Sequence, residues 1–199
     1  MKRKSFLCQK GGYLRVLSYA VHAVCMNFCD FYYSFAGGLG KASMILAGHA
    51  QGAGDREPWY ACLRSSLRWS FLFSLVSFAG TFAARDAIIV CYMNAEEARI
   101  IGSGILIVVA AVSFPEAQAM VCAGILRGSG KARSVAMYSF ISIVLLRPII
   151  TGIFLYWWHW GLMGAWLALA IDQSLRAVCA TLLVWQLCEK QKTSCLKCE

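Results

Sequence analysis

The sequence predicts an all-α, multipass membrane protein built from about five transmembrane helices. Three observations predict it. Of 199 residues, 59% are hydrophobic and only 15% are charged, with a mean hydropathy of +0.60. Soluble globular chains lie near ~45–50% apolar and ~25% charged, and one core of this size cannot hide the excess from water. The apolar residues come in continuous runs of around 20, enough for a helix to cross the hydrocarbon layer, and not in the alternating segments of a β-barrel. The basic residues sit in short clusters between those runs, as they do in membrane loops.

Five spans follow in order. The first, Leu17–Gly48, is long and is interrupted by glycines at Gly37, Gly38 and Gly40. The second, Trp69–Ala84, is short and extends toward Leu63 at its basic end. The third is Ile100–Leu126, the fourth Ser134–Trp157 and the fifth Leu162–Trp185. The chain therefore divides into a basic N-terminal segment (1–16), a transmembrane bundle (17–187) and a Cys- and Lys-containing tail (188–199). Lys10 and Arg15 break the only apolar stretch after Lys2-Arg3-Lys4, so no cleavable signal peptide is expected.

Charge sets the expected orientation. Arg56, Arg64, Arg68, Arg127, Lys131, Arg133, Lys190, Lys192 and Lys197 fall on one side of the spans, whereas only Arg85 and Arg99 fall on the other. The positive-inside rule then places the C-terminus in the cytoplasm of a cell-membrane protein. Lys2, Arg3, Lys4, Lys10 and Arg15 run against it, which points to something missing or unusual before residue 17. The net charge of +9 does not indicate nucleic acid, because the bases do not gather on one face with interleaved aromatics.

Between the fourth and fifth spans, Tyr156-Trp157-Trp158-His159-Trp160 is expected to anchor a tight hairpin at the headgroup level. An aromatic cage for a quaternary ammonium is the alternative.

Charged residues inside apolar spans are costly and normally face a cavity or a partner. Six are found: Asp30, Lys41, Glu116, Arg147, Asp172 and Arg176. Glu116 lies near the middle of the third span, directly after Pro115 and two residues before Gln118. Proline removes a helix hydrogen bond and frees a carbonyl for a cation or water. Desolvation disfavours an ionised carboxylate, so such a group can alternate between its two protonation states near neutral pH. Glu116 is thus a candidate site for proton or cation coupling; a structural carboxylate paired across helices is the alternative. In the first span, Asn27, Asp30, Ser34, Gly37, Gly38 and Lys41 share one face at 100° per residue. That stripe suits a cavity lining or a close helix contact. Asp172 and Arg176, spaced i,i+4, are expected to pair with each other. Arg147, before Pro148, is a candidate contact for an anion.

Enzyme chemistry finds no support. Gly128-Ser129-Gly130-Lys131 lacks the Gly and the Ser or Thr of a phosphate loop, since Ile125 and Ala132 stand there. Most of the ten cysteines lie in apolar runs and act as small hydrophobes. Cys188, Cys195 and Cys198 would need a fourth ligand to hold a metal. His22, His49 and His159 are scattered. No metal and no organic cofactor is expected.

Three segments together resemble the multidrug and toxic compound extrusion (MATE) family, within the multidrug/oligosaccharide-lipid/polysaccharide flippase superfamily. Gly38-Leu39-Gly40-Lys41-Ala42-Ser43, running into Gly48-His49-Ala50-Gln51-Gly52-Ala53-Gly54-Asp55, is similar to a helix-end motif of that family. Leu126-Arg127-Gly128-Ser129-Gly130 is similar to its Leu-Arg-Gly-x-Gly loop. Gly161-Leu162-Met163-Gly164-Ala165-Trp166, with Asp172 and Arg176, is similar to its last helix. His49 departs from the usual Gln, and Lys131 stands where an acidic residue is common. The resemblance implies twelve helices in two six-helix bundles, of which the five spans would be helices eight to twelve. It also implies efflux of small organic cations and xenobiotics by antiport with H⁺ or Na⁺, and a coupling role for Glu116. Asn27, Asp30, Ser34, Lys41, Gln118 and Arg147 would line the cavity. The other bundle, or a partner chain, would then be needed to enclose a pathway. Lys41, Arg147 and the positive total charge leave open a lipid-linked saccharide flippase, and the length leaves open a truncated protein without transport activity of its own.

Overall fold

A computed structural model describes the backbone of residues 2–54, 56–92 and 96–193, and the side chains of 18–54, 57–92, 99–100 and 102–189. The described residues form five helices and no strand. They are α1 (Lys2–Ala53), α2 (Arg56–Tyr92), α3 (Glu96–Gly128), α4 (Ala132–Trp157) and α5 (Gly161–Thr193). The fourth is wound in alternation: α-helical over Ala132–Phe140, π-helical over Ile141–Leu146, α-helical over Arg147–Gly152 and π-helical over Ile153–Trp157.

Each expected span lies within one of these helices, and most of the helices run further than the apolar pattern alone. The basic 1–16 segment is continuous with the first span from Lys2 onward, and 188–193 continues the last. Cys195, Cys198 and Lys197 lie outside the described residues, as does Asp55. So do the side chains of Cys8, of Arg56, Lys190 and Lys192, and of the five basic residues before residue 17. Four helices are long and apolar enough to cross a membrane: Glu57–Tyr92, Gly102–Gly128, Ala132–Trp157 and Gly161–Glu189. Helix α1, which holds the first expected span, is not among them. His22, Asn27, Asp30 and its tyrosines dilute its apolar run, so its polar face needs a protein or aqueous neighbour.

Helix α3 is the hub, packed against α1, α2 and α5. More than half of its apolar 18-residue stretch is buried (56%), against 11% for the corresponding stretches of α2 and α4. The outer faces of those two helices carry exposed Trp69, Phe71, Leu75 and Val76, and Phe140, Ile141, Ile143 and Leu145. Apolar surface on that scale suits lipid or a further bundle. Helix α1 runs unbroken through Gly37, Gly38 and Gly40. Its contact with α3 depends on glycine. A Cβ at Gly124 would sit 2.1 Å from the Gly40 carbonyl oxygen, and one at Gly128 would sit 2.3 Å from that of Met44. Small residues let membrane helices approach backbone to backbone.

The same region explains the Leu126–Gly130 loop motif. Gly130 takes a left-handed φ of 78°. The Lys131 N–H donates to the Leu126 carbonyl (2.8 Å) and the Gly130 N–H to that of Arg127 (3.1 Å). This pair of bonds terminates a helix on a left-handed residue. The Trp59 indole N–H donates to Ser129 Oγ at 3.1 Å and ties the start of α2 to the stop. One apolar cluster, including Ala47, Trp59, Leu126, Val135 and Leu187, gathers the ends of all five helices there. Arg64, Arg127, Lys131 and Arg133 therefore stand at one end of the bundle, as the charge count supposed.

Candidate functional site

A polar layer is buried where α3, α4 and α5 meet. Glu116 is 2% exposed and Asp172 is fully buried, yet the two carboxylates are treated differently. Asp172 is neutralised. Arg147 of α4 donates to its Oδ2 through Nε (3.0 Å) and Nη2, and Ser142 donates to its Oδ1. Glu116 forms no ion pair among the described residues. Its Oε1 accepts a hydrogen bond from Gln173 Nε2 at 3.1 Å. Gln173 Oε1 in turn accepts from Arg176 Nη1 at 3.3 Å.

The expected Asp172–Arg176 pair is thus corrected. The i,i+4 spacing allowed it, but a guanidinium from another helix reaches Asp172, while Arg176 turns toward α1 and α3. The geometry that brings Arg147 there is the π-winding of α4. Residues five apart on an α-helix lie about 140° apart around the axis. Closing turns i to i+5 returns them to one side. The Arg147 N–H bonds the Ser142 carbonyl across such a turn, and both side chains meet Asp172. Pro148, which has no N–H to give, follows at once. Arg147 is engaged with Asp172 and is not a free anion contact.

The other candidates do not assemble around Glu116. Gln118 is exposed on α3 and donates to Thr181 Oγ1 of α5 at 3.4 Å. Asn27, Asp30, Ser34 and Lys41 occupy an exposed face of α1, where Ser34 Oγ bonds the Asp30 carbonyl at 2.9 Å. The stripe is an open polar face. Close helix contact is made elsewhere, through Gly40. In the exposed aromatic run at the α4–α5 turn, Trp158 stacks on Trp160 at 5.1 Å and Trp160 on the buried Phe154 at 5.4 Å, while Tyr156 and Trp157 stand exposed.

Two features escaped the sequence reading. Gln173 is uncharged and does not stand out among the charges of the apolar spans; an amide beside Asp172 in such a span is its one signal. A second knot joins α1, α2 and α3. Tyr32 Oη and Ser74 Oγ both donate to the Ser113 carbonyl, the latter at 3.1 Å, and lie 3.2 Å from each other. No spacing pattern linked these three residues.

A bundle of long apolar helices with a buried polar layer is the architecture of a multipass membrane protein, and similarity to known proteins specifies which. The MatE family model matches residues 12–153, and the chain belongs to the MATE family. Its members are transporters and not enzymes. The chain is 27% identical over 166 residues to the probable multidrug resistance protein NorM of Xanthomonas campestris pv. campestris, covering 80% of this chain and 35% of that protein. It is 24% identical over 133 residues to the multidrug resistance protein MdtK of Yersinia pseudotuberculosis, covering 67% and 29%. The chain thus spans about a third of the length of these relatives. Among solved structures, it superposes on a MATE in complex with MaD3S (TM-score 0.80, 21% identity, 84% of this chain and 38% of that one). It superposes also on the eukaryotic MATE transporter AtDTX14 (TM-score 0.78, 18% identity, 84% and 38%). At these identities the structural likeness establishes the fold.

Proposed function

We propose that this chain forms one bundle of a secondary-active efflux transporter, in which protonation or cation binding at Glu116 is coupled to export of organic cations. One observation carries the reading. Of two buried carboxylates in the polar layer, Asp172 is hydrogen-bonded to its counter-ion and Glu116 only to a neutral amide. No cation is bonded to Glu116, so a proton or a cation can bind there, as a coupling group requires. The open polar face of α1 would line the pathway once a second bundle closes over it, with the substrate at the midplane and the bundles rocking about it. The names of NorM and MdtK as multidrug resistance proteins support a drug-like cargo. The flippase alternative loses one of its two supporting bases, since Arg147 is bound to Asp172.

The test is a NorM chimera carrying this chain in place of its corresponding segment, assayed for ion-driven dye efflux. Glu116→Gln should abolish coupled efflux with expression intact. Unchanged efflux would remove Glu116 from the mechanism.

A further inference from the structure

Three basic side chains converge on a cleft that the Glu116 site does not include. It lies between α1, α3 and α5, holds about 540 Å³, and is lined by Lys41, Arg127 and Arg176 without any Asp or Glu. None of the three is ion-paired among the described residues, whose salt bridges are Arg85–Asp86 and Arg147–Asp172. Asp30 shares the α1 face but stands three turns from Lys41, about 16 Å along the axis. Three like charges at the edge of a low-dielectric bundle repel one another, and an anion bound between them relieves that repulsion.

The cleft is polarised. Arg176 is half-buried and oriented by Gln173, and its Nε is buried without a hydrogen-bond partner. Arg127 is exposed. Met44, Met120, Ala119 and Ala123 supply an apolar part of the wall, beside Tyr33 and Ser34. A guanidinium fork matches an oxyanion bidentately, and a lysine adds a point charge. The adjoining apolar wall suits a hydrocarbon chain.

We propose that this cleft binds the phosphate group of an anionic amphiphile, with Lys41 and Arg176 as contacts and Arg127 on its exposed side. The phosphate can come from a bilayer phospholipid or from a water-borne amphiphile. The inference goes beyond the coupling reading and does not require Glu116 to be the coupling group.

Binding of dodecyl phosphate and of dodecyltrimethylammonium to the purified full chain in uncharged detergent tests it. Dodecyl phosphate should bind at least about tenfold more tightly. Lys41→Gln and Arg176→Gln should each weaken it about tenfold or more, and Arg64→Gln, outside the cleft, should not. Lys41 is exposed, so Lys41→Gln carries the test even if Arg176→Gln fails to fold. Displacement of dodecyl phosphate by phosphatidylglycerol but not phosphatidylcholine would identify a lipid headgroup. Resistance to both, with the anion preference intact, would identify the water-borne ligand. Equal affinity for the two amphiphiles, or unchanged affinity in Lys41→Gln, would overturn the proposal. Efflux is not measured, so neither result bears on Glu116.

Discussion

Gln173 holds Glu116 by a single hydrogen bond of 3.1 Å, and its other end is held by Arg176 at 3.3 Å. The arrangement fixes the orientation of the amide: its NH₂ faces the acceptor carboxylate and its oxygen the donor guanidinium. One neutral residue thus connects the buried acid to the basic cleft.

Gln173→Leu should lower stability by about 1–3 kcal/mol, because it leaves buried polar groups without partners. Glu116→Leu should also destabilise, and the double variant should lose less than the sum of the two. Unfolding in detergent measures the cycle. Additive losses would show that the two side chains do not interact.

The Arg147–Asp172 pair should respond asymmetrically. Asp172 is fully buried while the Arg147 side chain is 33% exposed. Arg147→Met strands a buried carboxylate and should cost about 3 kcal/mol, the lower end for a broken buried pair because of that exposure. Adding Asp172→Leu should recover most of the loss. Arg176→Met should leave this cycle unchanged; if it abolished the Arg147–Asp172 coupling, the i,i+4 pairing would be restored.

Glycines of α1 and α3 should separate into two groups. Gly124→Ala drives a Cβ to 2.1 Å from the Gly40 oxygen, backbone that cannot yield without moving a helix. A loss of about 1–3 kcal/mol or more is expected, as for overpacking. Gly38→Ala meets nothing within 4 Å and should be neutral or stabilise by about 0.5–1 kcal/mol through helix entropy. Melting temperatures in one detergent rank the two variants; a reversed ranking would contradict the α1–α3 crossing.

Tyr32→Phe removes a hydroxyl that donates to the Ser113 carbonyl and lies 3.2 Å from Ser74 Oγ. A loss of about 1 kcal/mol is expected, with hydrogen exchange rising where α1, α2 and α3 meet. Unchanged exchange there would mean that the knot does not hold the helices.

The sequence by itself determined the membrane, the helices and their order. Continuous apolar runs have one solution in lipid, the helix, because every backbone group must be satisfied internally. Gly130 and Gly54 stop helices by local geometry, with φ values of 78° and 73°. Glu116 stood out for a local reason as well, as a charge in an apolar run. What only the tertiary structure decided was which polar groups meet. Asp172 could reach Arg176 along its own helix, but Arg147 reaches it from another helix through a π-turn that residue spacing does not announce. Gln173 became the partner of Glu116, and Lys41 joined Arg127 and Arg176, only when three helices packed. Helix formation depends on contacts a few residues apart and can be read along the chain. Pairing of buried charges depends on the rotation of each helix against its neighbours, which packing at sites such as Gly40 and Gly124 sets.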